Sequence, residues 1–232
     1  MRVGADQSAD GGGWNGPVDR GTWRFIYVPI LERELSHPGL NTPFVLAAPW
    51  LATFGLSLPA RFTAADMHLD PDFRYLTYGD SNSRARQILD KVDKDDLLVF
   101  YAALRDTSDS KTHLVYGIIG LYVIDEILPV MSIPNSLWHQ NAHTRRLPGA
   151  RSLQIVVRAR PGSSGRLARC IPIGDYRQRA YRVRCDLIDK WGGLSVKNGY
   201  IQRSARLPEF QNAARFYSWF CAQNVPLAPR NN

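Results

Sequence analysis

The stretch MHLDPDFRY, residues 67–75, places a histidine and two aspartates at alternate positions. In an extended segment, His68, Asp70 and Asp72 would project on the same side, and Pro71 favours that geometry because it disfavours a helical Asp70. A histidine and a carboxylate on one face could ligate a divalent metal or act as an acid/base pair. The alternative is a polar turn built on Asp-Pro-Asp with a packed histidine, and the local pattern alone favours that alternative.

A second candidate is WHQNAH, in which His139 and His143 lie four residues apart and could share a helical face. Pro134 and Pro148 disfavour a stable helix here. Neither the glutamate of a metalloprotease pair nor an obvious third ligand accompanies the two histidines. The pattern therefore does not favour a metal site at this position, and the sequence leaves the cofactor unknown, including any metal requirement.

The charge is divided unevenly along the chain. Residues 1–139 hold 12 Lys+Arg and 17 Asp+Glu, a balance of −5, whereas residues 140–232 hold 17 and 4, a balance of +13. Arginine suits phosphates and base edges, so we expect DNA or a nucleotide as the partner of the arginine-rich portion, residues 140–225. The alternative is an arginine-rich solvated surface without a polyanion.

Two stretches of the basic portion could bind nucleic acid. In RARPGSSGR, residues 158–166, arginines flank a Gly/Ser turn that lacks the lysine and the spacing of a P-loop. In WGGLSVKNGYIQRSARLP, residues 191–208, glutamine and arginine can hydrogen-bond base edges and tyrosine can stack on an unpaired base. A hairpin turn and a surface loop are the respective alternatives. The predicted nucleic-acid-binding residues are Arg158, Arg160, Ser164, Tyr200, Gln202, Arg203 and Arg206.

The strongest structural prediction is a pair of central strands. Residues 94–105 and 112–127 are apolar runs separated by a polar turn, which indicates antiparallel strands buried on both faces. TWRFIYVPI (22–30) and SLQIVVRAR (152–160) predict two further strands. The sequence therefore predicts a single α+β domain, residues 1–232, with a mixed or mainly antiparallel central sheet and flanking helices.

Three segments are predicted to be helical. SNSRARQILDKV can begin at a cap on Ser81 or Ser83, and PEFQNAARFYSWFCAQ can begin at Pro208. DYRQRAYRVRCDLIDKW, residues 175–191, fits both helical spacing and strand alternation, and its length favours a helix. APRNN is expected to be a frayed end.

Composition excludes several classes of protein. The chain has 44% hydrophobic and 22% charged residues, which is typical of a globular protein. It lacks a run of ~20 apolar residues and an apolar signal-peptide core, so we expect a cytoplasmic location and no membrane partner. Three widely spaced cysteines indicate neither a disulfide framework nor a cysteine-rich zinc site. The nucleophile-elbow, kinase and dinucleotide-binding motifs do not occur. The sequence does not determine the oligomeric state.

Several motifs, in their order along the chain, resemble the third of the nucleotide modification associated domain families. They are GADQSADGGGWNGPVD with the aromatic segment ending in VPI, MHLDPDF, DDLLVFYAAL with HLVYGIIGLYVIDEI, and WHQNAH. The resemblance implies a domain of phage and bacterial systems that modify or process DNA bases. Matched position by position, it implies roles for Asp6, His68, Asp70 and His139. The second histidine, His143, lies further along the chain than the resemblance leads us to expect.

We therefore expect a protein that acts on a nucleotide or on a base in DNA, in base modification, excision or restriction. Asp6, His68 and Asp70 would converge at one sheet edge for acid/base work, for example in N-glycosidic hydrolysis, while arginines hold phosphates. A base in a duplex must leave the stack to be reached, which suits stacking residues such as Tyr200 or Trp191.

Two other classes remain open. Strands of this type resemble the small PUA-like barrels, so the protein could be a reader of modified nucleobases without catalysis. In that case His68 and Asp70 are structural, and Arg160, Gln202, Arg203 and Arg206 make the recognition contacts. The third class is a protein-interaction domain whose basic half is incidental, which predicts no salt-dependent binding to nucleic acid.

Overall fold

A computed structural model of the chain describes residues 1–8, 12–108, 114–149, 153–202 and 207–232. It is built of helices and strands around one large mixed sheet, which confirms the predicted α+β class. The strands are β1 (Pro17–Val18), β2 (Ile30–Leu31), β3 (Met67–His68), β4 (Thr77–Ser81), β5 (Leu97–Asp106), β6 (Leu114–Pro129), β7 (Gln154–Ala159), β8 (Gly165–Arg177), β9 (Ala180–Val183) and β10 (Leu227–Ala228). The α-helices are α1 (Ala48–Ala52), α2 (Asn82–Lys91), α3 (Ala142–Arg145), α4 (Cys185–Trp191) and α5 (Ala213–Ala222).

The central strand pair is present as predicted. β5 and β6 run antiparallel from Leu97 opposite Val123 to Arg105 opposite Leu114, with a register shift between Phe100 and Tyr101. Most side chains of both strands are buried because each face of the pair packs against a different hydrophobic cluster. The continuous apolar pattern of these segments is the sequence signature of that two-sided burial.

β6 is the strand that joins the two halves of the sheet. Its first half pairs with β8, and its second half, from Ile124 to Pro129, pairs with β7. β4 continues the sheet beyond β7, while β9 and β10 pair with β8. β1 lies parallel to β5, and β2 and β3 form a separate two-stranded sheet. The strand path from β4 to β9 therefore passes through β7, β6 and β8.

Three hydrophobic clusters fill the space around these strands. The first contains Phe73, Phe100 and Tyr122 and is covered by α2. The second lies on the other face of β5 and β6, where Trp191 of α4 and Phe216 of α5 pack. The third is a smaller cluster beneath the short helical turns between residues 44 and 62. All helical segments of residues 32–65, which the structure describes in full, are short, and this agrees with the many prolines of that stretch.

Other sequence predictions were met in part. The helix predicted to begin at Ser81 or Ser83 is α2; Ser81 occupies its N-cap position, but its side chain makes no capping hydrogen bond. The strand predicted for residues 152–160 is β7. The strand predicted for residues 22–30 was largely wrong: the segment makes an isolated bridge at Phe25 and enters β2 at Ile30.

The ambiguous segment 175–191 divides into a hairpin and a helix. β8 extends to Arg177, the chain turns at Gln178 and Arg179 with positive φ, and β9 follows. Tyr176 lies directly opposite Tyr181 across this hairpin. The helical prediction was therefore correct only for α4, because cross-strand pairing of aromatic side chains stabilises the alternating pattern before it.

The end of the chain also differs from expectation. The last helix begins at Ala213, where the Asn212 side chain accepts a hydrogen bond from the Arg215 backbone N–H at 2.9 Å, and not at Pro208. The terminal residues are not frayed. β10 pairs with β8, and the Asn231 and Asn232 side chains hydrogen-bond residues of other segments.

Two further observations concern composition. All three cysteines are free, with Cys170 buried and Cys185 and Cys221 exposed. No helix within the described ranges is both long and apolar enough to cross a bilayer.

Substitution of Phe73 tests the packing of the first hydrophobic cluster. Its ring is 0% exposed and packs edge-on against Tyr27, Phe100 and Tyr122 at centroid distances of 5.6 to 5.7 Å. We expect Phe73→Ala to lower the free energy of unfolding by about 3–5 kcal/mol, measured by urea denaturation, because it leaves a cavity among rigid aromatic rings. Met131→Ala is the control, since that side chain is 88% exposed and its removal should change stability by less than about 0.5 kcal/mol. Equal effects of the two substitutions would contradict this packing.

Candidate functional site

Three polar side chains from distant parts of the sequence converge beside β4. We looked for sets of three or more histidine, cysteine and carboxylate groups whose ligand atoms lie close together. Among the described residues, one such set has all its ligand atoms within 4.8 Å of one another: His68, Asp70 and His143. The Asp70 Oδ2 atom is 3.7 Å from His143 Nε2 and 3.9 Å from His68 Nε2. We call these three residues the His/Asp cluster. All three side chains are almost completely buried.

Backbone pairing and one close approach position the cluster. His68 ends β3, where it lies opposite Ile30 of β2, and Asp70 follows two residues later on the same side. His143 lies in the single turn of α3 and packs on Gly79 of β4. A Cβ atom at Gly79 would lie 2.3 Å from Cδ2 of His143, so the imidazole occupies the space that a side chain would need.

Glu32 and Arg146 hold the His68 ring from outside the cluster. Glu32 Oε2 lies 2.7 Å from His68 Nδ1, and Arg146 binds both oxygens of Glu32. Burial raises the pKa of Glu32, but hydrogen bonds from His68 and Arg146 outweigh it and lower that pKa to about 2. Because the ionised carboxylate only accepts, the hydrogen of His68 is on Nδ1, although Arg146 Nη2 also lies 3.0 Å from that atom. The lone pair on Nε2 therefore points towards Asp70.

The His143 ring is oriented like that of His68, with its hydrogen on Nδ1 and its lone pair on Nε2. Its Nδ1 lies 3.3 Å from Gln154 Oε1, an acceptor, which directs the lone pair on Nε2 to Asp70. Its backbone N–H donates to Asn141 Oδ1 at 2.8 Å. Burial lowers the pKa of His143 to about 3, and burial also lowers the pKa of His68. Both imidazoles are therefore neutral at pH 7.

Asp70 has one oxygen engaged and one directed at the histidines. Oδ1 accepts hydrogen bonds from the Gly79 N–H at 2.8 Å and from Asn141 Nδ2 at 3.2 Å. Oδ2 faces both imidazoles. Burial raises the pKa of this carboxyl well above its ordinary value. The arrangement can exchange a proton or coordinate a cation, because all three groups direct lone pairs to one point.

Asp72 does not join the cluster. It is fully buried and pairs with Arg145 Nη2 at 2.7 Å, while its Oδ1 accepts hydrogen bonds from Asn231 Nδ2 and from the Arg74 N–H. The stretch MHLDPDFRY thus contains both of the alternatives expected for it. His68 and Asp70 belong to the cluster, and Asp72 belongs to a structural turn.

Two residues singled out from the sequence lie apart from the cluster. Asp6 pairs with Arg2 at 3.1 Å and accepts a hydrogen bond from the Ser8 N–H, and it is not a member of the group defined above. His139 packs edge-on against Tyr75 at a centroid distance of 5.1 Å. The histidine of WHQNAH that joins the cluster is therefore His143, and the two histidines do not form a ligand pair.

The predicted nucleic-acid residues fall in several places. Arg158 lies near the cluster, since it is opposite Thr77 of β4 and donates to Gln140 Oε1 at 3.0 Å. Arg160 forms an ion pair with Asp95. Ser164 was expected in an exposed turn, but it is 3% exposed and its hydroxyl accepts from the Val123 N–H at 2.9 Å.

The remaining predicted contacts belong to the second half of the basic portion. Tyr200 is 37% exposed, and the Arg182 guanidinium lies 5.4 Å from its ring centre. Gln202 is partly exposed, whereas Arg203 and Arg206 lie outside the described residues. Trp191, expected to stack on a base, is 1% exposed and packs against Phe216. The structure thus gives Trp191 a core role because α4 turns it inward.

Sequence reasoning missed the residues that orient the cluster. They are Glu32, Gly79, Asn141, Arg146 and Gln154. None of them belongs to a short motif with a known ligand spacing. Their role depends on the pairing of β2 with β3, which joins residues that are 36 to 38 positions apart, and of β4 with β7, which joins residues that are 73 to 81 positions apart.

Two cavities lie near these elements. One, of about 530 Å³, is lined by residues that include Met67, Leu69, Asp72, His139 and Arg145. Met67 and Leu69 alternate with His68 and Asp70, so this cavity and the cluster lie on opposite faces of residues 67–70. The other, of about 260 Å³, is mostly apolar and lies between α2, β5 and α4.

Comparison with known proteins gives one finding. The family model described as nucleotide modification associated domain 3 matches residues 1–217, which include every member of the His/Asp cluster. This match confirms the resemblance identified from the motifs. No curated protein and no solved structure gave a significant match.

Substitution of Gly79 tests whether the His143 ring packs directly on the backbone of this glycine. We expect Gly79→Ala to lower the free energy of unfolding by about 1–3 kcal/mol in urea denaturation, because the added methyl group overlaps the imidazole and the Asn141 amide. Gly149→Ala is a matched control, since a Cβ there meets nothing within 4 Å and its φ is not positive. A neutral Gly79→Ala variant would show that the ring does not occupy this space.

Substitution of Asp72 tests whether its buried ion pair with Arg145 stabilises the fold. Asp72→Ala leaves the buried Arg145 guanidinium without its carboxylate, so we expect a loss of about 3–5 kcal/mol in the free energy of unfolding. Asp175→Ala removes an exposed ion pair with Arg177 and should cost less than about 1 kcal/mol. Similar losses for both variants in thermal or urea unfolding would refute this assignment.

Proposed function

Because this chain belongs to the nucleotide modification associated domain 3 family, we propose that it acts on a nucleotide or on a base in DNA at the His/Asp cluster. The observation that carries the proposal is the convergence of His68, Asp70 and His143 within the matched residues. The family connects the domain with nucleotide modification, and the cluster supplies groups that can handle a proton.

The electrostatics of the cluster suit acid/base chemistry. Burial keeps both imidazoles neutral, with a lone pair on each Nε2. Because the pKa of His143 is lowered to about 3, His68, whose Nδ1–H is bound by Glu32, is the stronger proton acceptor of the two. The same burial raises the pKa of the Asp70 carboxyl well above its ordinary value, so this group can hold a proton. Glu32 stabilises a positive charge that forms on His68, because the carboxylate accepts its Nδ1–H.

Hydrolytic release of a base is the reaction class that we favour. Water oxygen bonds to C1′ of the sugar while the C1′–N bond breaks. One proton of the water passes to the cluster, the other stays on the new C1′ hydroxyl, and the cluster gives one proton to the leaving base. A base in duplex DNA must be extruded to reach a buried site, so single-stranded or mismatched DNA and free nucleotides are the preferred substrates. Such a reaction fits a phage or bacterial modification or restriction system.

Arginines near the cluster are proposed to hold the phosphates. Arg158 is partly exposed and lies on β7, beside the strand that carries Gly79. Tyr200 and Arg182 form a second aromatic and basic surface on the β9 side, with three strands between it and β4 along the sheet. We propose that this second surface binds nucleic acid away from the reacting base.

The non-catalytic alternatives make different predictions. A PUA-like reader of modified bases needs no cluster of this kind, and its recognition would depend on residues such as Arg160, Gln202, Arg203 and Arg206. A protein-interaction domain would show no salt-dependent binding to nucleic acid. The buried convergence of three proton-handling groups favours the catalyst.

Turnover and binding are measured together to test the proposal. The protein is incubated with modified and unmodified DNA and with nucleotides, and mass spectrometry detects released bases or altered nucleotides. We expect His143→Ala and Asp70→Asn to lower turnover by about 100-fold or more and to leave nucleic-acid affinity within a few-fold. Asp70→Asn keeps the acceptor for the Gly79 N–H, so its fold should persist.

The control is His37→Ala, which removes a histidine that stacks on Trp138 outside the cluster. It should keep wild-type turnover. Salt-dependent binding without any turnover would favour the reader, and the absence of salt-dependent binding to nucleic acid would favour the interaction domain. Turnover that survives in both cluster variants would place the chemistry elsewhere.

A further inference from the structure

The His/Asp cluster is made of acceptors that face one another. Glu32 fixes the hydrogen of His68 on Nδ1, and Gln154 does the same for His143, so both Nε2 atoms carry lone pairs. Asp70 Oδ2 adds a third acceptor. The separations of 3.7 and 3.9 Å exceed the usual range of a hydrogen bond, so a proton shared directly with Asp70 does not account for them.

The spacing suits a cation between the three atoms. Metal–nitrogen and metal–oxygen bonds in such sites are about 2.0–2.2 Å, so two ligand atoms at a tetrahedral ion lie roughly 3.4 Å apart. The two separations to Asp70 Oδ2 are a few tenths of an ångström longer, and the ligand atoms of all three residues lie within 4.8 Å of one another. A small inward movement of each side chain would bring all three atoms into bonding range.

Each of the three groups also has an outer partner that fixes its direction. Glu32 orients His68, Gln154 orients His143, and the Gly79 N–H and Asn141 Nδ2 engage the other oxygen of Asp70. Histidine ligands of metal ions commonly donate their second N–H to a carboxylate or another acceptor in this way. The Glu32–His68 contact is the carboxylate–histidine arrangement that raises the basicity of a ligand.

We propose that His68 Nε2, His143 Nε2 and Asp70 Oδ2 together bind one first-row divalent transition-metal ion. Two imidazoles and a carboxylate suit zinc, iron(II), cobalt or manganese better than the all-oxygen sites of calcium and magnesium. Three protein ligands leave coordination positions for a water molecule or a substrate oxygen. The inference rests on the proposed function in assigning the metal to the same site. With an ion bound, the three lone pairs serve as ligands, so the proton acceptor of the proposed reaction would be a water or hydroxide on the ion and not an imidazole Nε2. The test of metal binding does not need activity.

The full-length protein is stripped with a chelator, dialysed, and titrated with Co²⁺ and Zn²⁺. We expect one ion per chain by calorimetry, visible d–d bands on Co²⁺ binding, and loss of those bands when Zn²⁺ displaces Co²⁺. Mg²⁺ should bind at least about 100-fold more weakly, because the site supplies two nitrogen ligands.

Variants assign the ion to the cluster. His143→Ala and Asp70→Asn should lower Co²⁺ affinity by at least about 10-fold, and Glu32→Gln, which keeps all three ligands, should lower it by about 10- to 100-fold. His139→Ala is the matched control from the same WHQNAH motif and should bind like the wild type. If a cluster variant fails to fold, X-ray absorption of the wild-type Co²⁺ complex must still show two imidazole ligands.

Substoichiometric binding by the wild type, or equal affinity in the cluster variants and the control, would overturn the proposal. Metal binding without turnover would refute only the proposed function. Turnover that persists after chelation, in protein that binds no metal, would refute only this inference.

Discussion

Two ion pairs hold together the segments that carry the His/Asp cluster. Asp72, two residues after Asp70, pairs with Arg145, two residues after His143. The neighbouring Arg146 pairs with Glu32, which in turn contacts His68. Breaking a buried pair of this kind is costly because the remaining charge has no partner. The two ion pairs therefore fix the distance between residues 68–72 and residues 141–146, the segments that carry the cluster.

This support is needed because the cluster itself opposes folding. Burial of a carboxylate and two imidazoles removes favourable hydration, which is why the pKa of Asp70 is raised and those of both histidines are lowered. The Gly79 N–H and the Asn141 amide offset part of that cost at Asp70. Groups arranged at such a cost are typical of functional sites, where rigid surroundings maintain an arrangement that the groups alone would not adopt.

The parts of the fold that could be predicted from sequence are those that depend on local patterns. The apolar runs of β5 and β6, the helix α2 and the same-side placement of His68 and Asp70 all follow from periodicity or spacing. The role of Glu32 and the choice of His143 over His139 depend on strand pairing between distant segments. The hairpin of β8 and β9 was misassigned because helical spacing and alternation coincide there, and only cross-strand contacts distinguish them.

The structure also changes how the basic charge should be interpreted. Arg145 and Arg146 form internal ion pairs, and Arg166 is buried with its guanidinium over the Phe25 ring and a hydrogen bond to the Phe25 carbonyl. The balance of +13 for residues 140–232 therefore overstates the charge that this portion presents to a polyanion, because Asp72 and Glu32 of residues 1–139 neutralise two of its arginines. The proposed phosphate contacts would depend on arginines that are still partly exposed, such as Arg158 and Arg182. Three arginines of the basic portion, Arg145, Arg146 and Arg166, serve the fold and the cluster instead.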